Sequence, residues 1–72
     1  MKHYVIIVFW SDADGAWVAD VPDLKSCSAF GGTPEEAVGE VRVAMEAWLA
    51  AARAAGHSIP EVRYQPQHEA AE

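Results

Sequence analysis

The chain has 72 residues and a formal net charge of −6, from eleven acidic against five basic side chains. A single domain of this size is marginal in core, and its lone cysteine, Cys27, excludes an internal disulfide, while no Cys/His set has zinc spacing; oligomerisation is the remaining support. The charge balance argues against an independent nucleic-acid binder, which needs a basic footprint, and suits a domain steered toward a basic partner.

His3–Trp10 is β-branched and aromatic and predicts a first strand. Val5, Ile7 and Phe9 alternate with Tyr4, Ile6, Val8 and Trp10, so both faces are apolar and both call for cover. The run is too short to span a membrane and too β-branched for a signal peptide. With one thiol and no export signal, a reducing cytoplasm is expected. Ser11–Gly15 predicts a hairpin loop, with Gly15 at positive φ. Ala16–Val21 predicts the second strand, with Trp17, Ala19 and Val21 on one face and Val18 and Asp20 on the other. Pro22 ends it, because proline donates nothing to a ladder. Ser26–Phe30 predicts a short third strand.

The helix start is the sharpest local signal. Thr33 is the N-cap, Pro34 stands at the first helical position, and Glu36 completes a capping box. Glu35 and Glu36 complement the positive end of the helix dipole. The helix is expected to run to about Ala55, with Gly56 as its stop and Pro60 soon after. Three stripes run along it. Val38, Val41, Met45, Trp48, Ala52 and Ala55 are spaced to face the sheet. Glu35, Arg42, Glu46 and Arg53 make a solvated charged face, with Arg42 and Glu46 one turn apart. Val43, Ala47, Ala50 and Ala54 make a small apolar stripe. It reads as plain helix-forming alanine or as a close contact in an oligomer. One helix covers only one face of a sheet, so the second face of the first strand needs the C-terminal segment or another chain. Ser58–Tyr64 offers a short edge strand at most, and Gln65–Glu72 is expected to fray as a disordered tail.

The ordered pieces resemble one family. An apolar first strand leads to the acidic turn Asp12-Ala13-Asp14-Gly15. A strand then closes in Val21-Pro22-Asp23-Leu24, and Cys27 follows. Next comes the helix start Gly32-Thr33-Pro34-Glu35-Glu36-Ala37, and at the far end of the helix Gly56-His57-Ser58-Ile59-Pro60. This pattern is similar to the HicB-like antitoxins, whose fold is described as a partial RNase H-like fold, and it covers Lys2 to Pro60. Where family members commonly carry Pro-Gly before the cysteine, this chain has Lys25-Ser26. Many members add a C-terminal helix-turn-helix or ribbon-helix-helix domain that binds operator DNA. This chain has no counterpart to it, so no direct DNA binding is expected. The resemblance implies a non-catalytic protein that occludes a small, basic, RNA-cleaving toxin of the HicA type. It assigns no toxin-contacting residue.

The chemical candidates weigh less. Asp12 and Asp14 beside Gly15 fall short of a calcium loop, which needs a longer acidic series and a distal Glu. Asp20 and Asp23 flank a strand end, but two-metal hydrolysis needs more converging carboxylates; Asp23 reads better as a backbone cap after Pro22. Cys27 reads as a small, half-buried strand residue rather than a nucleophile. His3, His57 and His68 are too scattered for a metal triad. Trp17 and Trp48 read as core, and Trp10, beside the turn, as an interface anchor.

The expectation is thus an α+β domain over residues 1–64: an antiparallel three-stranded sheet in the order β-β-β-α, with room for a short fourth strand, and one long helix on one face. A homodimer or higher homo-oligomer is expected, with Trp10, Val43, Ala47, Ala50 and Ala54 as interface candidates. No catalytic residue, cofactor or metal is assigned. The leading function is a HicB-like antitoxin in the cytoplasm that binds a small basic toxin. The alternative is an orphan homo-oligomeric module that binds a small ligand or another protein without a toxin partner, and a degenerate nuclease ranks third.

Overall fold

The computed structural model describes residues 3–66. Three strands, β1 (Ile7–Ser11), β2 (Ala16–Asp20) and β3 (Ser28–Gly31), precede one helix, α1 (Pro34–Ala54). They form an antiparallel sheet in chain order with α1 packed on one face, an α+β fold. Met1, Lys2 and the part of the expected tail beyond residue 66 lie outside the described residues.

The β1–β2 hairpin turns through Asp12–Gly15, between the paired Ser11 and Ala16. Gly15 takes φ 61° and donates its N–H to the Ser11 carbonyl at 2.8 Å. The Ser11 hydroxyl donates to Asp14 Oδ2 at 2.8 Å. Positive φ is open to glycine at no steric cost, so the loop closes where the sequence has it.

β1 is shorter at its start than the expected His3–Trp10, and the reason lies in its neighbour. The ladder opens at Ile7 opposite Asp20, and beyond Asp20 the chain turns at Val21-Pro22. The Val21 N–H goes instead to the Cys27 carbonyl at 3.0 Å. Residues before Ile7 therefore have no ladder partner on β2. β3 likewise begins at Ser28 rather than Ser26, because Ser26 adopts φ 60°, which no strand residue can hold.

The helix starts as the sequence predicts. Thr33 is extended at φ −136°, and its Oγ1 accepts from the Glu36 N–H at 3.1 Å. The Glu36 carboxylate reaches one residue further back than in the usual box and accepts from the Gly32 N–H at 2.8 Å. At the far end Ala55 is the cap. Gly56 at φ 76° and the bonds from His57 N to Ala52 O (2.8 Å) and Gly56 N to Arg53 O (3.0 Å) make a Schellman stop.

The core lies between sheet and helix: Tyr4, Ala19, Val21, Leu24, Cys27, Ala37 and Val41, flanked by Val8, Trp17, Ala29, Met45 and Trp48 among others. Register explains the closeness of the two layers. Val8, Ala19 and Ala29 form one cross-strand row toward the helix, and the two alanines leave room for it. Gly31 takes this to its limit, since a Cβ there would stand 2.5 Å from the Ala37 nitrogen. Of the stripe expected to face the sheet, Ala55 is exposed because it is the cap, whereas Ala37, Ala44 and Leu49 join the buried side.

The short fourth strand is not formed among the described residues; Ser58–Pro66 is irregular. It is nonetheless fastened. The Tyr4 hydroxyl donates to the Pro60 carbonyl. Asp23 accepts from the Arg63 N–H at 3.0 Å and from the Tyr64 N–H at 3.1 Å, and Val62 packs against the core. The segment seals the helix side of the molecule and leaves the opposite sheet face open.

Candidate interaction surface

The open face carries Ile7 and Phe9 from β1, Val18 and Asp20 from β2, and Ser28 and Phe30 from β3. Period-two alternation puts them opposite the core row. Phe9, Val18 and Phe30 are directly paired neighbours across the three strands. The rings are 46% and 53% exposed, while Val18 between them is 7% exposed. Asp20 on this face is held by Ser28, whose hydroxyl donates to Oδ1 at 2.6 Å. No strand contains a basic residue.

The residues singled out in the sequence are spread around the molecule. Trp10 is 47% exposed. Its ring meets Trp17 edge to face at 5.8 Å and 71°, and its Nε1–H donates to Asp12 Oδ1 at 2.7 Å. Trp10 thus stands at the hairpin end of the helix-side face. Val43, Ala47, Ala50 and Ala54 are all exposed, Val43 by 64%. At 3.6 residues per turn they lie roughly 150° around α1 from its buried side, on the solvent-facing back. Trp17 and Trp48 pack against the core, and the Trp48 Nε1–H donates to the Lys25 carbonyl at 2.9 Å, tying the helix to the bend before β3.

Sequence reading passed over Phe9 and Phe30 as a surface pair. Both were visible as apolar alternation, but their union on one face depends on the register of three strands. The partner of Asp23 was equally hidden, because the backbone it holds lies 40 residues away.

Asp12, Asp14 and Glu36 are held in local hydrogen bonds at the hairpin and the helix start. Asp20 and Asp23 are each engaged by hydrogen bonds in different parts of the molecule. Among the described residues no group of three or more His, Cys, Asp or Glu side chains is placed to hold a metal ion. Cys27 is fully buried, more so than expected, and sits in the bend before β3. Desolvation, with a smaller contribution from the Asp20 charge, pushes its thiol above the ordinary value and away from nucleophilic chemistry. A shallow open groove lined by Trp48, Ala51, Ala52, Ala55 and His57 lies at the end of α1. No helix among the described residues is long and apolar enough to cross a membrane. What remains is a surface suited to contact: a largely apolar sheet face and an uncharged outer strand, with the acidic hairpin turn at one end.

The chain is similar to the UPF0150 protein ssl0259 of Synechocystis sp., with 34% identity over 56 residues that span 78% of this chain and 77% of that one. The chain belongs to the UPF0150 family. No family model matches it, and no solved structure gives a significant match. Membership of UPF0150 names a lineage and carries no activity with it. The surface just described is therefore the guide to what this member does.

Proposed function

We propose that the protein is a HicB-like antitoxin, a non-catalytic binding protein that occludes a small, basic, RNA-cleaving toxin. The observation that carries this reading is the ordered motif set, from Asp14-Gly15 through Val21-Pro22-Asp23-Leu24 and Cys27 to the helix start at Thr33, in a UPF0150 member. Charge supports it. The net charge is −6, and the exposed acids Asp12 and Asp14 at the hairpin tip and Glu35, Glu36 and Glu40 on α1 favour rapid capture of a basic partner. The single thiol, Cys27, accords with a reducing cytoplasm.

Affinity capture from the cells that make the protein tests this reading. Recovery of one small basic protein at fixed stoichiometry, whose RNA cleavage this chain suppresses mole for mole, is the expected result. Failure to recover such a protein, under conditions where a known complex of similar size survives, overturns it. The second reading is a homo-oligomeric module without a toxin. The exposed pair Phe9 and Phe30 on a sheet face favours it, since large apolar side chains gathered on one face mark a contact surface.

A further inference from the structure

β1 is an outer strand, paired with β2 along one side only. Alternate residues of such a strand turn their N–H and C=O groups away from the sheet. Its sequence, Ile-Val-Phe-Trp-Ser, has no charge and no proline, the usual devices that blunt an edge. An aromatic–acid cluster marks its hairpin end. The Trp10 ring meets Trp17 edge to face, and its Nε1–H binds Asp12 Oδ1 at 2.7 Å. That bond holds an indole and a carboxylate side by side, with the indole face nearly half exposed. Asp14 stands exposed in the same turn. Phe9, next in the strand, is as bare on the opposite face.

The charges around this edge have one sign. Asp12 and Asp14 lie at its hairpin end, and Asp20 is paired with Ile7 at the other. The described lysines and arginines stand elsewhere: Lys25 in the bend, Arg42 and Arg53 on α1, Arg63 in the C-terminal segment. We propose that β1 accepts an extended, basic segment of another protein as an added strand, with an arginine set over Trp10 and an apolar side chain beside Phe9. The proposal rests on the reading of a basic protein partner and adds the site and the form of the contact. A planar guanidinium stacks on an indole face, and in that position its N–H groups reach the Asp12 carboxylate beside the ring, a charge-assisted bond. Phe9 and Trp10 are neighbours on opposite faces, so the bound segment alternates apolar and basic residues. Backbone bonds to the edge supply affinity, and the alternation supplies register and specificity. A second copy of this chain does not meet these terms, because its own β1 is uncharged and its net charge is also −6.

The probe is a capped synthetic peptide of alternating arginine and valine, about eight residues long to match a strand. It is titrated into the full chain and followed by the NMR signals of the backbone amides and of the indole N–H groups. Saturable shifts are expected at Val8, Phe9, Trp10 and the Trp10 Nε1–H, with a dissociation constant on the order of 100 µM at low salt. The double variant Asp12→Asn, Asp14→Asn keeps an acceptor for the indole, removes both charges and is expected to weaken binding about tenfold. Phe30→Ala, at the other edge, is expected to change it less than about twofold. Two control peptides separate the causes. One carries glutamate for arginine, and the other carries a central proline, which keeps the charge but cannot donate to a ladder; both are expected to bind at least about tenfold more weakly. Silence at β1 up to about ten times the expected dissociation constant overturns the proposal. Equal binding of the glutamate peptide overturns the basic partner, and equal binding of the proline peptide overturns strand addition. No toxin enters this experiment, so the two readings fail separately: a captured toxin with β1 silent sinks the edge site alone, and edge binding with no toxin captured sinks the antitoxin reading alone.

Discussion

Replacing Ser26 with glycine is expected to stabilise the protein. Ser26 holds φ 60°, where an ordinary side chain pushes its Cβ against the backbone at a cost of about 1–2 kcal/mol. The bend keeps it there. Val21 N bonds to Cys27 O at 3.0 Å, Leu24 N to Val21 O at 3.1 Å and Cys27 N to Leu24 O at 3.2 Å, while the Trp48 indole holds the Lys25 carbonyl. The Ser26 side chain is exposed. Glycine relieves the steric cost but returns about 0.5–1 kcal/mol through the greater freedom of the unfolded chain. The balance is a gain of roughly 0.7 kcal/mol, equivalent to about 3–6 °C in Tm for a domain of this size. Thermal and urea unfolding, followed by circular dichroism and by tryptophan fluorescence, measure it. Ser26→Ala keeps the Cβ and is expected to stay within about 0.5 kcal/mol of wild type. An unchanged or lowered Tm for Ser26→Gly would refute the strain argument and mean that the hydroxyl contributes more than the backbone costs.

Gly31→Ala is expected to destabilise by about 2–3 kcal/mol in urea titration, because a Cβ 2.5 Å from the Ala37 nitrogen meets backbone that cannot rotate away. Cys27 is expected to resist thiol reagents in the native state and react at full rate once unfolded. Its folded pKa lies above the ordinary 9.0, so the unfolded chain loses the proton first. The contribution is whole below about pH 9 and falls as pH rises, and Cys27→Ala is expected to flatten the alkaline decline relative to wild type. Asp23→Ala frees the Arg63 and Tyr64 N–H groups. Losing hydrogen bonds to a charged acceptor costs about 1.5 kcal/mol or more, so trypsin is expected to cut after Arg63 about tenfold faster, with the helical signal retained.

Local chemistry was legible in the sequence wherever one residue decides the backbone. Gly15 and Gly56 take the positive φ their positions require, and Thr33 caps the helix as written, while the Glu36 carboxylate bonds the Gly32 N–H in place of the Thr33 N–H of a capping box. Alternation assigned the two faces of β1 and β2, and three-and-four spacing put Val41 and Trp48 on the sheet-facing side of α1. Long-range demands were less legible. Nothing in the neighbourhood of Asp23 says that it holds backbone 40 residues on, and Gly31 looks like a loop glycine until the helix is laid beside it. Ser26 had a faint trace, since it stands where the resembling family commonly has glycine. The Phe9–Val18–Phe30 row needed the pairing of three strands before it became a surface.

The bond between Tyr4 and Pro60 joins residues 56 positions apart, and this has a consequence for synthesis. A chain made from its N-terminus can form the hairpin, the bend and the helix in order. The side sealed by Val62 and Pro60 must wait for the final described stretch. At about 5–20 residues per second, the ten residues from His57 to Pro66 take on the order of a second to arrive. During that interval Tyr4 has no acceptor at Pro60, Asp23 holds nothing, and the core beneath α1 stands unsealed. Until the stretch from Pro60 to Tyr64 is available, the nascent chain offers that unsealed side to proteases and to chance contacts.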